Sequence, residues 1–371
     1  MKRYFFFIVL VSGLFSTQVK SQQTYQQQPL IFANNERADI GIGKDWYPNR
    51  WRISPQVAND TLKLKIYGKS ESFAFRTDKD SIRFEIKPGE TKSFYVKMPD
   101  AAPAFTLITA EKFAWDKIAY AKTAKKKDLN LLFEQKQAKY FDQLRKQYPT
   151  AHLLKNERSD LQKVLSILNW THHQWKHDGG NAPKGSDGLS ILNEAKAGGR
   201  FPCFAYAIVL RDQLTANGFA ARVLYLKTKD AATRKGSPGH VVTEVYLKDQ
   251  HKWAFIDGQF NVLPLLNGKP LNAVEFQNAL SNNYEQVVLA SRDQVDKRSF
   301  TEFVYDYLYY FDTAIDNCLL SDKQKVTYGG KRSIMLVPIG AENLAKIDFW
   351  KSTVDYCWYS NSINDFYPRL N

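Results

Sequence analysis

The chain has 371 residues, 52 Lys+Arg against 38 Asp+Glu for a formal charge of +14, 44% hydrophobic and 14% aromatic residues, and three cysteines. At roughly 150 residues per domain this is room for two domains, or one large core with an appendage, and the aromatic content excludes a disordered chain. Three cysteines exclude a disulfide-stapled miniprotein and any four-cysteine zinc or iron–sulfur site, while the positive charge suits either an anionic cell-surface partner or plain solubility.

Residues 1–21 have the make-up of a secretory signal: Lys2 and Arg3, an apolar run from Tyr4 to Phe15, then small and polar residues to Ser21. The run is shorter than the ~20 residues that span a bilayer. The mature protein is therefore expected in the periplasm or outside the cell, without a transmembrane segment.

Residues 22–110 read as a β-rich module. Ile82, Phe84 and Ile86 alternate, Lys87-Pro88-Gly89-Glu90 makes a turn, and Phe94, Val96 and Met98 alternate beyond it, which predicts a hairpin in a sandwich-like sheet. Residues 111–158 are rich in Lys, Ala, Gln and Leu and predict a helical connector in which Lys125-Lys126-Lys127 is a solvated face.

Residues 159–290 alternate helix and strand signals. Ser159 and Gln162 suit a helix start, with apolar residues at helical spacing from Asp160 to about Trp175. A loop spans Asp178–Gly188 and a short helix ends at Gly198-Gly199. Arg200-Phe201-Pro202-Cys203 then opens a strongly helical stretch that Asn217-Gly218 stops, so Cys203 lies at a helix N-terminus. Ala221–Leu226, Val241–Leu247 and Trp253–Ile256 read as strands, and Asn272 with Glu275 caps a further helix. Residues 291–371, with Tyr305, Tyr307, Tyr309 and Phe311 alternating, predict a β-rich C-terminal extension.

One cysteine opening a helix, His240 beginning a strand and Asp257 ending the next make a candidate triad. The positive end of a helix and a neighbouring imidazolium both favour a thiolate over the thiol that dominates near neutral pH. Asp257 would hold the imidazole tautomer, Cys203 would attack a carbonyl with its own backbone N–H near the oxyanion, and His240 would protonate the leaving amine.

Four blocks resemble the transglutaminase-like superfamily of papain-like cysteine proteins, in its exported bacterial form: Gly198-Gly199-Arg200-Phe201-Pro202-Cys203, Asn217–Val223, Gly239–Val245 and Trp253–Asp257. The resemblance implies an α+β papain-like transglutaminase core behind the N-terminal β-sandwich-like module, with Cys203, His240 and Asp257 as catalytic residues. It also implies an aromatic near the oxyanion from the helix upstream of the cysteine, Trp170 or Trp175. Gly258 follows Asp257 where the family more often has proline or a small polar residue. Animal crosslinking transglutaminases use calcium, but no Asp/Asn-rich loop with a bidentate Glu is present, and no cofactor is expected.

The remaining signals are weaker. His173 and His177 stand four apart on one predicted helical face without a third ligand, so no metal is expected. Cys318 and Cys357 would pair in an oxidising compartment or remain buried thiols. The loop before His240 is basic (Lys227, Lys229, Arg234, Lys235), which suggests an acidic substrate region. The expected activity is thiol-dependent acyl transfer on peptide or amide bonds, hydrolytic as in a cysteine peptidase or amidase. A protein-crosslinking transglutaminase and a non-catalytic cell-surface binding protein are the alternatives, and a nucleic-acid partner is not expected.

Overall fold

The computed structural model describes residues 23–54, 60–123, 126, 128–134, 139–318 and 324–370. The expected leader, residues 1–21, lies outside the described residues, as do Lys125 and Lys127 of the lysine run. The chain divides into two compact units between Lys112 and Phe113.

The first unit is built from β1 (Thr24–Tyr25), β2 (Gln28–Phe32), β3 (Arg37–Ile42), β4 (Asp45–Arg52), β5 (Asp60–Ile66), β6 (Glu71–Arg76), β7 (Ser81–Ile86), β8 (Thr91–Lys97) and β9 (Ala104–Lys112). Burial alternates along the strands. In β9, Ala104, Thr106, Ile108 and Ala110 are buried and the residues between them are not. The strands form two sheets, in the orders β1-β2-β8-β9-β5 and β4-β3-β6-β7. Ile31, Phe94 and Ile108 of the first sheet share one core with Phe73, Phe75 and Ile86 of the second, which makes the unit a β-sandwich.

The expected hairpin is not one. β7 pairs with β6 and β8 pairs with β2 and β9, so the Lys87–Glu90 turn crosses from one sheet to the other. Gly89, at φ 84°, donates its N–H to Ala110 O at 2.8 Å and so anchors the crossing. Alternation identifies the buried face of a strand but not its neighbour.

Of the expected 111–158 helical connector, α1 (Lys139–Gln147) is the α-helix among the described residues, followed by a 3-10 turn at Ala151–Leu154. The described residues between Phe113 and α1 are not helical and belong to the second unit. Ala121 bridges Ser362, Leu132 bridges Asp316, and Phe113, Trp115, Tyr120, Leu129 and Leu131 enter its core. Burial of these side chains outweighs the helix propensity of the lysines and alanines between them.

The second unit continues with α2 (Asp160–His172), α3 (Gly188–Lys196), α4 (Cys203–Ala216), β10 (Ala221–Lys227), β11 (Gly239–Leu247), β12 (Lys252–Ile256), β13 (Leu263–Leu266), β14 (Lys269–Pro270), α5 (Ala273–Asn283), β15 (Val287–Ala290), α6 (Lys297–Val304), β16 (Tyr310–Ala314), β17 (Ser333–Leu336), β18 (Lys346–Ile347), β19 (Ser352–Thr353), β20 (Cys357–Ser360) and α7 (Ile363–Phe366). Its main sheet has the order β12-β11-β10-β16-β17-β20. Leu224, Leu226, Val242 and Phe255 face a core shared with α5 and α6, while Ala221, Val245, Ala254 and Ile256 face α2 and α4. The result is an α+β layer structure with helices on both faces of the sheet.

The C-terminal residues are not an appended β extension: β16, β17 and β20 complete the sheet that β10–β12 begin. Tyr305–Tyr307 is a 3-10 turn after α6, because Phe300, Thr301 and Val304 bury at helical spacing and Asp296 caps the helix at Ser299 N. Phe366 and Tyr367 close over Arg222, which is fully buried, binds Glu244 Oε2 through two nitrogens at 2.6 and 3.0 Å, and donates to Phe366 O at 2.7 Å.

Candidate active site

The segment leading into α4 is set by backbone packing. α3 stops at Gly198, φ 98°, and Gly199 lies where a Cβ would meet Phe201 Cζ at 2.4 Å and Glu194 O at 2.9 Å. Phe201 is buried, and its carbonyl accepts Asp178 N–H at 3.1 Å and the Trp175 indole N–H at 3.3 Å. Pro202 is the N-cap in extended backbone, so Cys203 is the first residue of α4. Pro202 brings no capping side chain; Ala205 N–H donates to Pro202 O at 3.1 Å, and no side-chain cap takes the N–H groups of Cys203 and Phe204.

His240 is the second residue of β11, and Asp257 follows the last residue of β12. The register pairs Thr243 with Ile256, so the two are diagonal neighbours on one face of the sheet rather than directly opposed. His240 Nε2 and Asp257 Oδ2 are 2.7 Å apart, with side chains 3% and 0% exposed. The other oxygen, Asp257 Oδ1, accepts N–H from Gln259 at 2.9 Å and Phe260 at 3.2 Å, which fixes the carboxylate's aim. Gly258 permits this turn to lie on α4: a Cβ there would be 3.1 Å from Tyr206 Cβ.

Cys203 acts on the same imidazole, favouring its charged form alongside Asp257. Burial by itself pushes the His240 pKa down, but the charge and hydrogen bond of Asp257 and the contact with Cys203 overcome it and raise the pKa to about 10. Cys203 is half-buried, so solvent reaches the sulfur side of the pair.

Aromatic rings enclose the imidazole. Phe303 lies edge-on at 5.0 Å between centroids, with Tyr307 at 5.9 Å and Phe260 at 6.3 Å. Phe303 and Tyr307 come from α6 and the turn after it, the segment that the alternating tyrosines suggested as strand. Helical burial at Phe300 and Val304 was the available signal for them. Burial raises the Tyr307 phenol, Arg234 lowers it and Cys203 raises it again; burial likewise raises the Tyr225 phenol. Gly239 makes room for Trp350, whose ring would be 2.7 Å from a Cβ at that position.

Trp175 is 8% exposed, stacks on Tyr206 at 4.4 Å, and has its indole N–H committed to Phe201 O. It therefore supports the loop before Cys203 instead of offering a donor to an oxyanion. Trp170 is half-buried in the cluster around α3 and α4. α2 ends at His172, so His177 lies beyond the helix and does not share a helical face with His173. Burial and the charge of His240 push the His177 pKa down against Asp178 and Asp257.

Cys318 and Cys357 are free thiols, and burial, joined at Cys318 by Asp316, pushes both up to about 12. The basic loop before His240 has acidic partners: Lys227 with Asp312, Lys229 with Asp116 at 3.8 Å, and Arg234 with Asp230 and Asp306 at 3.1 and 3.2 Å. Its positive potential is lower than its sequence suggests.

Residues 149–258 match the family model of the transglutaminase-like superfamily, so this stretch, which contains Cys203, His240 and Asp257, is a transglutaminase-like domain. At the level of that family the match supports thiol-dependent catalysis. None of the curated proteins matches. Among solved structures, a candidate cysteine protease from Cytophaga hutchinsonii is similar at 15% identity over 55% of this chain and 72% of that one, with a TM-score of 0.27. Red sea bream transglutaminase is similar at 10% identity over 65% of this chain and 44% of that one, with a TM-score of 0.26.

Proposed function

We propose that the protein is a thiol-dependent acyl-transfer enzyme of the cysteine peptidase or amidase kind, with Cys203 as nucleophile, His240 as general base and acid, and Asp257 as the group that orients His240. The observation that carries this reading is the 2.7 Å His240–Asp257 contact, together with a thiol that opens α4 and raises the pKa of the same imidazole. Cys203 Sγ attacks the amide carbonyl, and the first-turn N–H groups of α4 lie near the oxyanion. The imidazolium of His240 gives its proton to the leaving amine, which leaves a thioester on Cys203. His240 then takes a proton from water, the hydroxide attacks the thioester, and the acid departs as the thiol reforms.

Hydrolysis is the preferred outcome because the thiol is half-buried and within reach of solvent. Transfer to an amine is the second reading, favoured by the wall of Phe260, Phe303 and Tyr307, which restricts water on the imidazole side. The substrate class is a protein or peptide. The acidity suggested by the loop before His240 is not carried forward, since three of its four cations, Lys227, Lys229 and Arg234, have acidic partners within the chain. With residues 1–21 as a cleaved leader, the enzyme would act in the periplasm or outside the cell, and no described helix is long and apolar enough to cross a membrane.

An electrophilic amide probe tests the reading. Wild type should label at Cys203 and Cys203→Ala should not. Equal labelling of the two would leave a binding protein as the better description. Competing a labelled primary amine against water on a glutamine-bearing substrate then separates the two outcomes, and amine incorporation exceeding hydrolysis would overturn the hydrolytic preference.

A further inference from the structure

At the end of α2, on the far side of the turn that holds Asp257, three side chains converge. His172 Nε2 and His173 Nε2 lie 4.0 and 3.6 Å from Asp293 Oδ2, and the three ligand atoms are all within 4.8 Å of one another. We propose that His172, His173 and Asp293 form a binding site for a divalent transition-metal ion of the zinc class.

The hydrogen bonds behind the three groups carry the argument. His172 Nδ1 faces Gly258 O at 3.1 Å, and His173 Nδ1 faces Asn169 O at 2.8 Å. A carbonyl only accepts, so each Nδ1 holds a proton and each Nε2 is the nitrogen turned toward Asp293, where a metal would take it. That arrangement, with the second ring nitrogen donating to a backbone carbonyl, is how ligating histidines are held. Asp293 is fixed as well: Asn261 Nδ2 donates to its Oδ2 at 2.7 Å and to Asn169 Oδ1 at 2.9 Å. His173, Asn169, Asn261 and Asp293 thus close a ring of contacts behind the site, and the 1% exposed Asn261 stands in the left-handed region (φ 55°) to complete it.

Two imidazoles and one carboxylate suit zinc and its neighbours, not calcium or magnesium, which take oxygen sets. Zinc bonds of about 2.0–2.2 Å to four tetrahedral ligands put neighbouring donor atoms about 3.3–3.5 Å apart, so the 3.6 and 4.0 Å separations from Asp293 are within a sub-ångström shift of that geometry, and the two imidazole nitrogens, within 4.8 Å of each other, need a side-chain rotation to close. The His173 and Asp293 side chains are 55% and 40% exposed, which leaves a fourth position for water and a path for entry. The bland reading is an ion pair of protonated histidines with Asp293, which would hold no metal.

A metal here would tie the end of α2 to the 257–261 turn at two points, Gly258 O and the Asn261 amide. It would stiffen the turn from which Asp257 reaches His240. The site uses none of Cys203, His240 or Asp257, so it stands or falls apart from the proposed chemistry.

The test is calorimetric titration of zinc, and absorption spectra with cobalt, on the full chain and on its Cys203→Ala variant, in which the thiol no longer competes. One equivalent should bind in both, with the strong visible absorption of four-coordinate cobalt and no thiolate charge-transfer band in Cys203→Ala. His173→Ala and Asp293→Asn, each made in the Cys203→Ala chain, should weaken binding by more than about 100-fold, and Asn261→Ala by about 10–100-fold, as for an outer partner. Absence of binding, or unchanged affinity in both His173→Ala and Asp293→Asn, would overturn the proposal.

Discussion

Asp257→Asn is a sharp test of how the proposed site is aimed. Asp257 Oδ1 is held by two backbone donors, Gln259 and Phe260 N–H, and Oδ2 faces His240. In the asparagine the carbonyl oxygen must keep the two N–H groups, because turning the amide over would set its NH2 against them. The NH2 is then locked toward His240 Nε2, which has to present a lone pair, and the imidazole proton moves to Nδ1, where it opposes proton transfer from the thiol. The charge and hydrogen bond of Asp257, which do most to hold the His240 pKa up against burial, are also gone, so the pKa falls and less of the imidazolium is present. A wrong tautomer together with a lost imidazolium should cost about 10³–10⁴ in rate, or about 4–5.5 kcal/mol. The assay is the pH profile of iodoacetamide alkylation at Cys203 beside turnover of a fluorogenic peptide amide. Wild type should alkylate across the neutral range and the variant only as the isolated thiol ionises, while its urea midpoint reports a fold that keeps both backbone bonds. Alkylation and turnover within about threefold of wild type would refute the reasoning.

Three further outcomes follow from the packing. Arg222→Met leaves Glu244 buried without its cation and should destabilise the protein by about 3–5 kcal/mol in urea unfolding, with Arg222→Met/Glu244→Gln recovering most of it; a loss below about 1 kcal/mol would contradict the buried-pair account. The His240 pKa rises from 6.5 to about 10 on folding, so its contribution is fully present below pH 6.5 and is lost as pH climbs through about 10. The stability difference between wild type and His240→Gln should shrink over that window from a ceiling of about 5 kcal/mol, and a constant or growing difference would argue against it. Gly199→Ala drives a methyl into Phe201 and Glu194 O and should cost about 1–3 kcal/mol and displace the start of α4, whereas Gly236→Ala, with open space around it, should be near neutral. Equal effects at the two glycines would show that the approach at Gly199 is not tight.

The parts of this protein legible from sequence are those whose causes are local. Pro202 before Cys203, Asn217-Gly218 after the helix, and the capping box of Asn272 and Glu275 declare their elements within a few residues, because caps and turns are short-range hydrogen bonding and backbone sterics. The diagonal placement of His240 and Asp257 follows from two adjacent strands and a short turn, so their approach was readable as well. Local pattern did not reveal which distant segment covers which face. The Lys87–Glu90 turn alternates like a hairpin yet crosses between sheets, the described residues of 113–134 have helical composition yet form no helix and send Trp115, Leu129 and Leu131 into a core, and the run of tyrosines after Ser299 becomes a helix and a 3-10 turn before it becomes a strand. Trp175, expected on the helix upstream of the cysteine, lies past the end of α2, and its donor is bound to Phe201 O. The aromatic wall around His240 and the meeting of Asp293 with His172 and His173 depend on chain segments far apart in sequence, whose contact is selected by burial of whole faces. Periodicity states that a face is apolar, and only the assembled core decides what is packed against it.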